Sequence, residues 1–168
     1  MASKILFPNE IILETESFKV AQDWEVPIPG FFIVSTKRKI LSIAEMTEKE
    51  AEEFIKIVRH VRQAMKDSLN IKEVYLFQNE DSKHGFHLWM FPRYDWMEQF
   101  GKKIESVKPI MLYAEKNMIS ENKIEEVKDA VRKISHVIKD DFKDLLKHSE
   151  KVAQKLWSSK EDDIWDTV

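Results

Sequence analysis

Two histidines three residues apart, His84 and His87, head the stretch HGFHLWMFPR. Imidazole titrates nearer neutrality than any other side chain, so either could serve as nucleophile, general acid–base or metal ligand. If the run is a strand, alternate residues share a face. His84 and His87 then point opposite ways, which disfavours a two-histidine metal site, and no third or fourth ligand stands nearby in sequence. Gly85, His87, Trp89 and Phe91 lie on one side. Phe86, Leu88 and Met90 lie on the other, uniformly apolar side, expected to face the core. The His87 face should look toward solvent, a cleft or a partner chain. A strand histidine beside a tryptophan is also what an ordinary protein wall contains, so the rest of the chain has to decide.

The elements that must hold this strand can be read from pattern. Ile11–Thr15 and Ser17–Gln22 read as short strands joined tightly. Val26–Gly30 reads as a turn, because two prolines fix φ and Gly30 permits a sharp bend. Phe31–Thr36 is aromatic and β-branched, a strand composition. Thr47 and Glu50 form a capping box. Ala51, Phe54, Ile55, Val58, Val61, Met65 and Leu69 then recur at helical spacing, predicting a helix that ends near Asn70. Glu73–Gln78 and Gly85–Phe91 are further strands, with the polar loop NEDSKH between them.

After Pro92 the pattern changes. Asp95–Gln99 suggests a short helical turn, and Glu105–Trp157 reads as helical, with one start near Ser120 and Glu121. Val127, Val131, Ile134 and Ile138 give one apolar stripe, and Phe142, Leu145, Leu146, Val152 and Leu156 a second. The acidic tail KEDDIWDTV carries Trp165, which hints at docking. The expected architecture is α+β: two hairpin-like strand pairs flanking a long helix, a mostly antiparallel sheet because the connections are short, and a helical C-terminal extension. The division is 1–103 for the mixed domain and 104–168 for helices packed on or beside it.

Composition removes several functions. With 168 residues, 43% hydrophobic and 34% charged, the chain can build a core and solvate its surface. A net charge of -3 lacks the basic face of a large nucleic-acid binder. The absence of cysteine excludes disulfides, thiolate zinc sites and a cysteine nucleophile. No apolar run approaches the ~18 residues of a membrane span, and MASKILFPNE has no signal core, so a cytoplasmic protein without a membrane partner is expected. With three glycines in all, glycine-rich phosphate cradles are absent.

The stretch HGFHLWMFPR resembles the signature of the histidine-triad (HIT) family, His-φ-His-φ-His-φ-φ with φ apolar, often followed by Pro-Arg. Counting back five residues from Pro92 places His87 at the central histidine, with Phe86, Leu88, Met90 and Phe91 at φ positions. Upstream, SFKVAQDWEVPIPGFFIVST is similar to the family's first conserved hairpin. The resemblance covers about residues 5 to 100. The chain departs from the pattern at Gly85 and Trp89, the first and third triad positions, and at Phe31, where many members carry histidine.

The resemblance implies a HIT-like fold and a nucleotide or dinucleotide substrate. His87 would attack the α-phosphorus of a nucleotide ester, anhydride or amidate and become nucleotidylated. The backbone carbonyl of Gly85 would fix its tautomer. Ser82 and Gln78 fall at phosphate-facing positions and Asp23 near a ribose-contacting one, while Trp89 replaces the histidine that assists the leaving group. Trp89 donates one N–H but cannot shuttle a proton, which favours polyphosphate leaving groups such as those of a diadenosine polyphosphate. His84 could substitute only against strand alternation. Lys37, Arg38 and Lys39 read as a solvated turn. No resident cofactor or metal is implied, Mg²⁺ entering only with substrate phosphates, and a homodimer is expected because many relatives pair. The rival reading is a nucleotide-binding or interaction domain that has lost catalysis.

Overall fold

The computed structural model describes residues 4–143 and Gln154. Three strands come first: β1 (Ile11–Glu14), β2 (Phe18–Gln22) and β3 (Phe32–Thr36). They are followed by helix α1 (Glu48–Leu69), β4 (Glu73–Phe77), β5 (His87–Arg93), α2 (Val107–Asn117) and α3 (Glu121–Asp141). The strands form one sheet in the order β1-β2-β3-β5-β4, every neighbouring pair antiparallel. The connectivity differs from two separate hairpins. β1, β2 and β3 form a meander, and after α1 the chain places β5 against β3 and leaves β4 at the edge.

The α1 cap is built as its sequence dictates. The Thr47 hydroxyl accepts from the Glu50 amide, and the Glu50 carboxylate accepts from the Thr47 amide. Asn70 ends the helix in the left-handed conformation, one that asparagine tolerates better than most residues. The buried stripe is rotated from the expected one. Phe54, Ile57, Val58, Val61, Ala64 and Met65 are buried, whereas Ile55 is 53% exposed and Ala51 faces out. Ile57 and Val58, three and four residues beyond Phe54, continue one face, and Ile55 sits about a quarter-turn away.

Two hydrophobic cores sandwich the sheet. On one face Phe18, Val20, Phe32, Val34, Phe86 and Met90 meet α1, joined by Val131, Ile134, Ile138 and Phe142 of the α3 segment. His60 of α1 and Asp141 of α3 also meet at 3.1 Å. On the other face Phe31 and Phe91 pack with Val26, Ile28 and Met97 beneath Val107, Ile110 and Ala114 of α2. Residues beyond 103 therefore share both cores with the strands. The expected helical stretch from Glu105 is interrupted at Met118–Ser120, and the Ser120 hydroxyl caps α3 by accepting from the Lys123 amide. A short 3₁₀ segment, Asp95–Phe100, occupies the expected helical turn. Leu145, Leu146, Val152, Leu156 and Trp165 lie outside the described residues.

The signature strand also runs differently from its expected bounds. It starts at His87 rather than Gly85 and continues through Pro92 to Arg93, pairing Val74↔Pro92 and Glu73↔Arg93. Proline is accommodated because the β3 ladder has already ended at Phe32↔Met90, leaving pairing on one side only.

Candidate functional site

The outer face of the sheet can be read as rows, since directly paired residues of antiparallel strands project to the same side. Lys19, Ser35 and His87 make one row, and Ala21, Ile33, Trp89 and Phe77 the next. A third holds Phe91 and Tyr75, with Phe31 packed against Phe91. The face therefore grades from polar at the His87 row to largely aromatic at the Phe91 row. Alternation correctly separates the two sides of β5, but the side expected to look toward solvent, a cleft or a partner chain also enters a second core. Phe91 is fully buried, and Trp89 packs partly into the second core, because α2 covers that end.

His87 is half-buried, and its Nδ1 lies 2.9 Å from the Gly85 carbonyl oxygen. A carbonyl can only accept, so Nδ1 must carry the proton and donate. In the neutral ring Nε2 then holds the lone pair. Gly85 makes this possible with φ at +79°, a conformation that side chains rarely tolerate. A Cβ there would come within 3.3 Å of the Ile40 carbonyl oxygen. That oxygen also accepts from the Phe86 amide at 2.7 Å. The first triad position is thus a backbone position in this chain.

Trp89 is fixed by aromatic neighbours. Its ring centroid is 5.7 Å from Phe31, 4.8 Å from Phe77 and 5.9 Å from His87. Trp89 and Phe31, two of the departures from the signature, pack on each other. Beside them a cavity of about 400 Å³ opens between the sheet and α2. Its walls include Phe77, Trp89, Met111 and Leu112, with Lys108 and Glu115 also lining it. Positions 108, 111 and 115 form a stripe along the α2 flank, next to the core stripe of Val107, Ile110 and Ala114, and Ile104 of the preceding turn extends it. Sequence reasoning missed this wall. Its only signal was that second, half-apolar stripe in a segment outside the family resemblance.

The other expected site residues have local partners. Gln78 follows β4, and its amide nitrogen donates to the Leu41 and Asn79 carbonyls at 3.0 and 2.7 Å. The Ser82 hydroxyl accepts from the His84 amide at 3.1 Å, a small turn that shapes the loop before Gly85. His84 is exposed on that loop. Asp23 stands at the other end of the sheet: its amide bonds Phe31, whereas Ser35, opposite His87, is four residues further along. One carboxylate oxygen of Asp23 accepts from the Glu25 and Val26 amides at 3.0 and 2.8 Å. Burial pushes this carboxyl above its ordinary value, against the lowering effect of those two bonds. The structure brings His87 and Trp89 together, and sets Asp23 in register with Phe31 rather than with His87, within electrostatic reach of Glu115 on the cavity wall.

The basic turn after β3 is largely committed. Lys37 pairs with Glu14 at 3.0 Å, and Arg38 with Glu50 at 2.7 Å. The Arg38 guanidinium and the Thr47 amide hold the Glu50 carboxyl down to about 2. Among the described residues no group of three or more His, Cys, Asp or Glu side chains is placed to hold a metal ion. No described helix is long and apolar enough to cross a membrane.

No protein-family model matches the chain, and no curated protein sequence matches it. Solved structures do. A hypothetical histidine triad nucleotide-binding protein from Sulfolobus tokodaii strain7 aligns over 77% of this chain and 85% of its own, at 16% identity and a TM-score of 0.53. A Hit-like protein involved in cell-cycle regulation from Bartonella henselae aligns over 77% of this chain and 87% of its own, at 18% identity and a TM-score of 0.50. At these identities the likeness concerns architecture. The five-stranded antiparallel sheet, the long α1 on one face and the signature strand beside β3 are those of the histidine-triad fold.

Proposed function

We propose that the protein is a nucleotide hydrolase or nucleotidyl transferase acting on a nucleoside phosphate anhydride, such as a diadenosine polyphosphate, with His87 as nucleophile. The observation that carries this reading is the 2.9 Å contact from His87 Nδ1 to the Gly85 carbonyl. It fixes the proton on Nδ1 and leaves Nε2 as the ring nitrogen that faces away from this bond, at the polar end of the outer face.

In the first step the Nε2 lone pair forms a bond to the α-phosphorus, and the P–O bond to the leaving phosphate breaks with its electron pair. The proton stays on Nδ1, which donates to the Gly85 carbonyl, and that hydrogen bond stabilises the positive ring. In the second step water attacks the phosphorus, the P–N bond breaks, and its pair returns to Nε2. The water proton passes to solvent. A polyphosphate leaves without help from an acid, which suits Trp89. The cavity beside Trp89 would take a planar ring of the substrate, since pockets of about 300–1,000 Å³ with aromatic walls suit such ligands. Any Mg²⁺ would arrive on the substrate's phosphates.

A second reading keeps the nucleotide and drops the chemistry. The contact of Trp89 with Phe31 favours it, because two positions that are polar in the signature serve here as apolar packing. Turnover of diadenosine tetraphosphate, followed by chromatography beside a direct binding titration, separates the two. Hydrolysis in the wild type, lost in a folded His87→Ala that still binds nucleotide, is the expected result. Binding without hydrolysis in the wild type would establish the second reading, and no binding would overturn both.

A further inference from the structure

The row that contains His87 carries a cation that the signature does not supply. Lys19 pairs directly with Ser35 in the β2–β3 ladder, and Ser35 pairs directly with His87 in the β3–β5 ladder. Three residues on neighbouring strands therefore project side by side from the outer face. Two strand spacings, roughly 10 Å, separate the Lys19 and His87 backbones, with Ser35 between them. Lys19 is exposed, and among the described residues it has no ion pair. The carboxylate opposite it on β1, Glu14, is taken by Lys37. Lys49 is likewise held by Glu16 and Arg38 by Glu50. The Ser35 hydroxyl donates to the Lys19 carbonyl at 3.3 Å, which ties the two strands in this row.

We infer that Lys19 is a further catalytic residue, whose ammonium binds the non-bridging phosphate oxygens of a substrate attacked by His87. The inference rests on the nucleophile reading of His87. The lysine's four-carbon stem and the imidazole can converge on a tetrahedral phosphate seated above Ser35. Attack at the α-phosphorus passes through a trigonal-bipyramidal transition state in which the two non-bridging equatorial oxygens carry the negative charge. A fixed cation there stabilises the step in which the bond to Nε2 forms, and lysine serves as the point charge. That role is distinct from protonating the leaving oxygen, which remains unassisted at Trp89.

Single-turnover nucleotidylation of His87 by diadenosine tetraphosphate tests this in wild type, Lys19→Met, Lys19→Arg and Lys37→Met, each checked for folding by thermal unfolding. Lys19→Met should slow adduct formation by about tenfold or more with a smaller change in substrate affinity. Lys19→Arg should recover most of the rate, and Lys37→Met should stay near wild type. Equal rates in wild type and Lys19→Met would overturn the role of Lys19 alone, as would an equal loss in Lys37→Met, which would indicate a general field. A wild type that forms no adduct would overturn the nucleophile reading and this inference with it.

Discussion

The outer face of the sheet has two unlike ends. At the His87 end the row is lysine, serine and histidine, and the neighbouring turn is threaded with ion pairs. At the other end Phe31, Trp89 and Phe91 interlock edge to face and α2 closes over them. Both ends depart from the triad signature, for different physical reasons. Gly85 stands at the first position of the signature, where the backbone turns to positive φ and a Cβ would press on a carbonyl. Trp89 and Phe31 stand where the pattern has histidine, and here α2 closes a core over them. One departure belongs to the backbone and keeps a carbonyl on His87. The other belongs to packing and, under the proposed function, would remove a proton donor.

That distinction gives tests, the largest effect first. If packing at Trp89 has cost the site its general acid, a step needing proton transfer should lose about 10²–10⁴-fold. An adenosine phosphoramidate should therefore react that much more slowly than diadenosine tetraphosphate, and a folded Trp89→His should narrow the gap. Equal wild-type rates on the two substrates would mean that another group acts as acid, His84 on the adjoining loop being the nearest in sequence. The backbone loss should be smaller in scale. Gly85→Ala forces a Cβ into a left-handed conformation at about 1–2 kcal/mol, or roughly 2–8 °C in melting temperature for a chain of this size. A Gly85→Ala protein as stable as wild type would show that the glycine is not conformationally required and would erase the contrast between the two losses.

The sequence made one end of the face far more legible than the other. The Thr47–Glu50 box, the end of α1 at Asn70, the turn at Gly30 and the alternation along β5 are local signals, set by neighbours a few residues away. Gly30 has φ +79°, and the Tyr94 hydroxyl donates to the Pro29 carbonyl at 2.6 Å, holding the turn. The carbonyl partner of His87 was also legible, through the resemblance, because it lies two residues upstream, just before β5. What covers Trp89 and Phe91 was not. That depends on α2, which is remote in sequence and whose two adjacent stripes do not say which strand they meet. Asp23 shows the same limit: its sequence does not reveal that one carboxylate oxygen caps its own turn by accepting from the Glu25 and Val26 amides. Lys19 was invisible for a further reason. A solvated lysine in a strand has no pattern, and only the pairing of β2 with β3 and β3 with β5 sets it in line with His87.

The central claim is that His87 Nε2 attacks phosphorus, and intact-mass spectrometry after rapid quenching of the protein with diadenosine tetraphosphate tests it directly. The account predicts a single added nucleotidyl group in the wild type, mapped to the peptide containing His87, lost on acid treatment and absent from His87→Ala. An unmodified wild-type protein that nonetheless hydrolyses the dinucleotide, or an adduct that persists in His87→Ala, would contradict it.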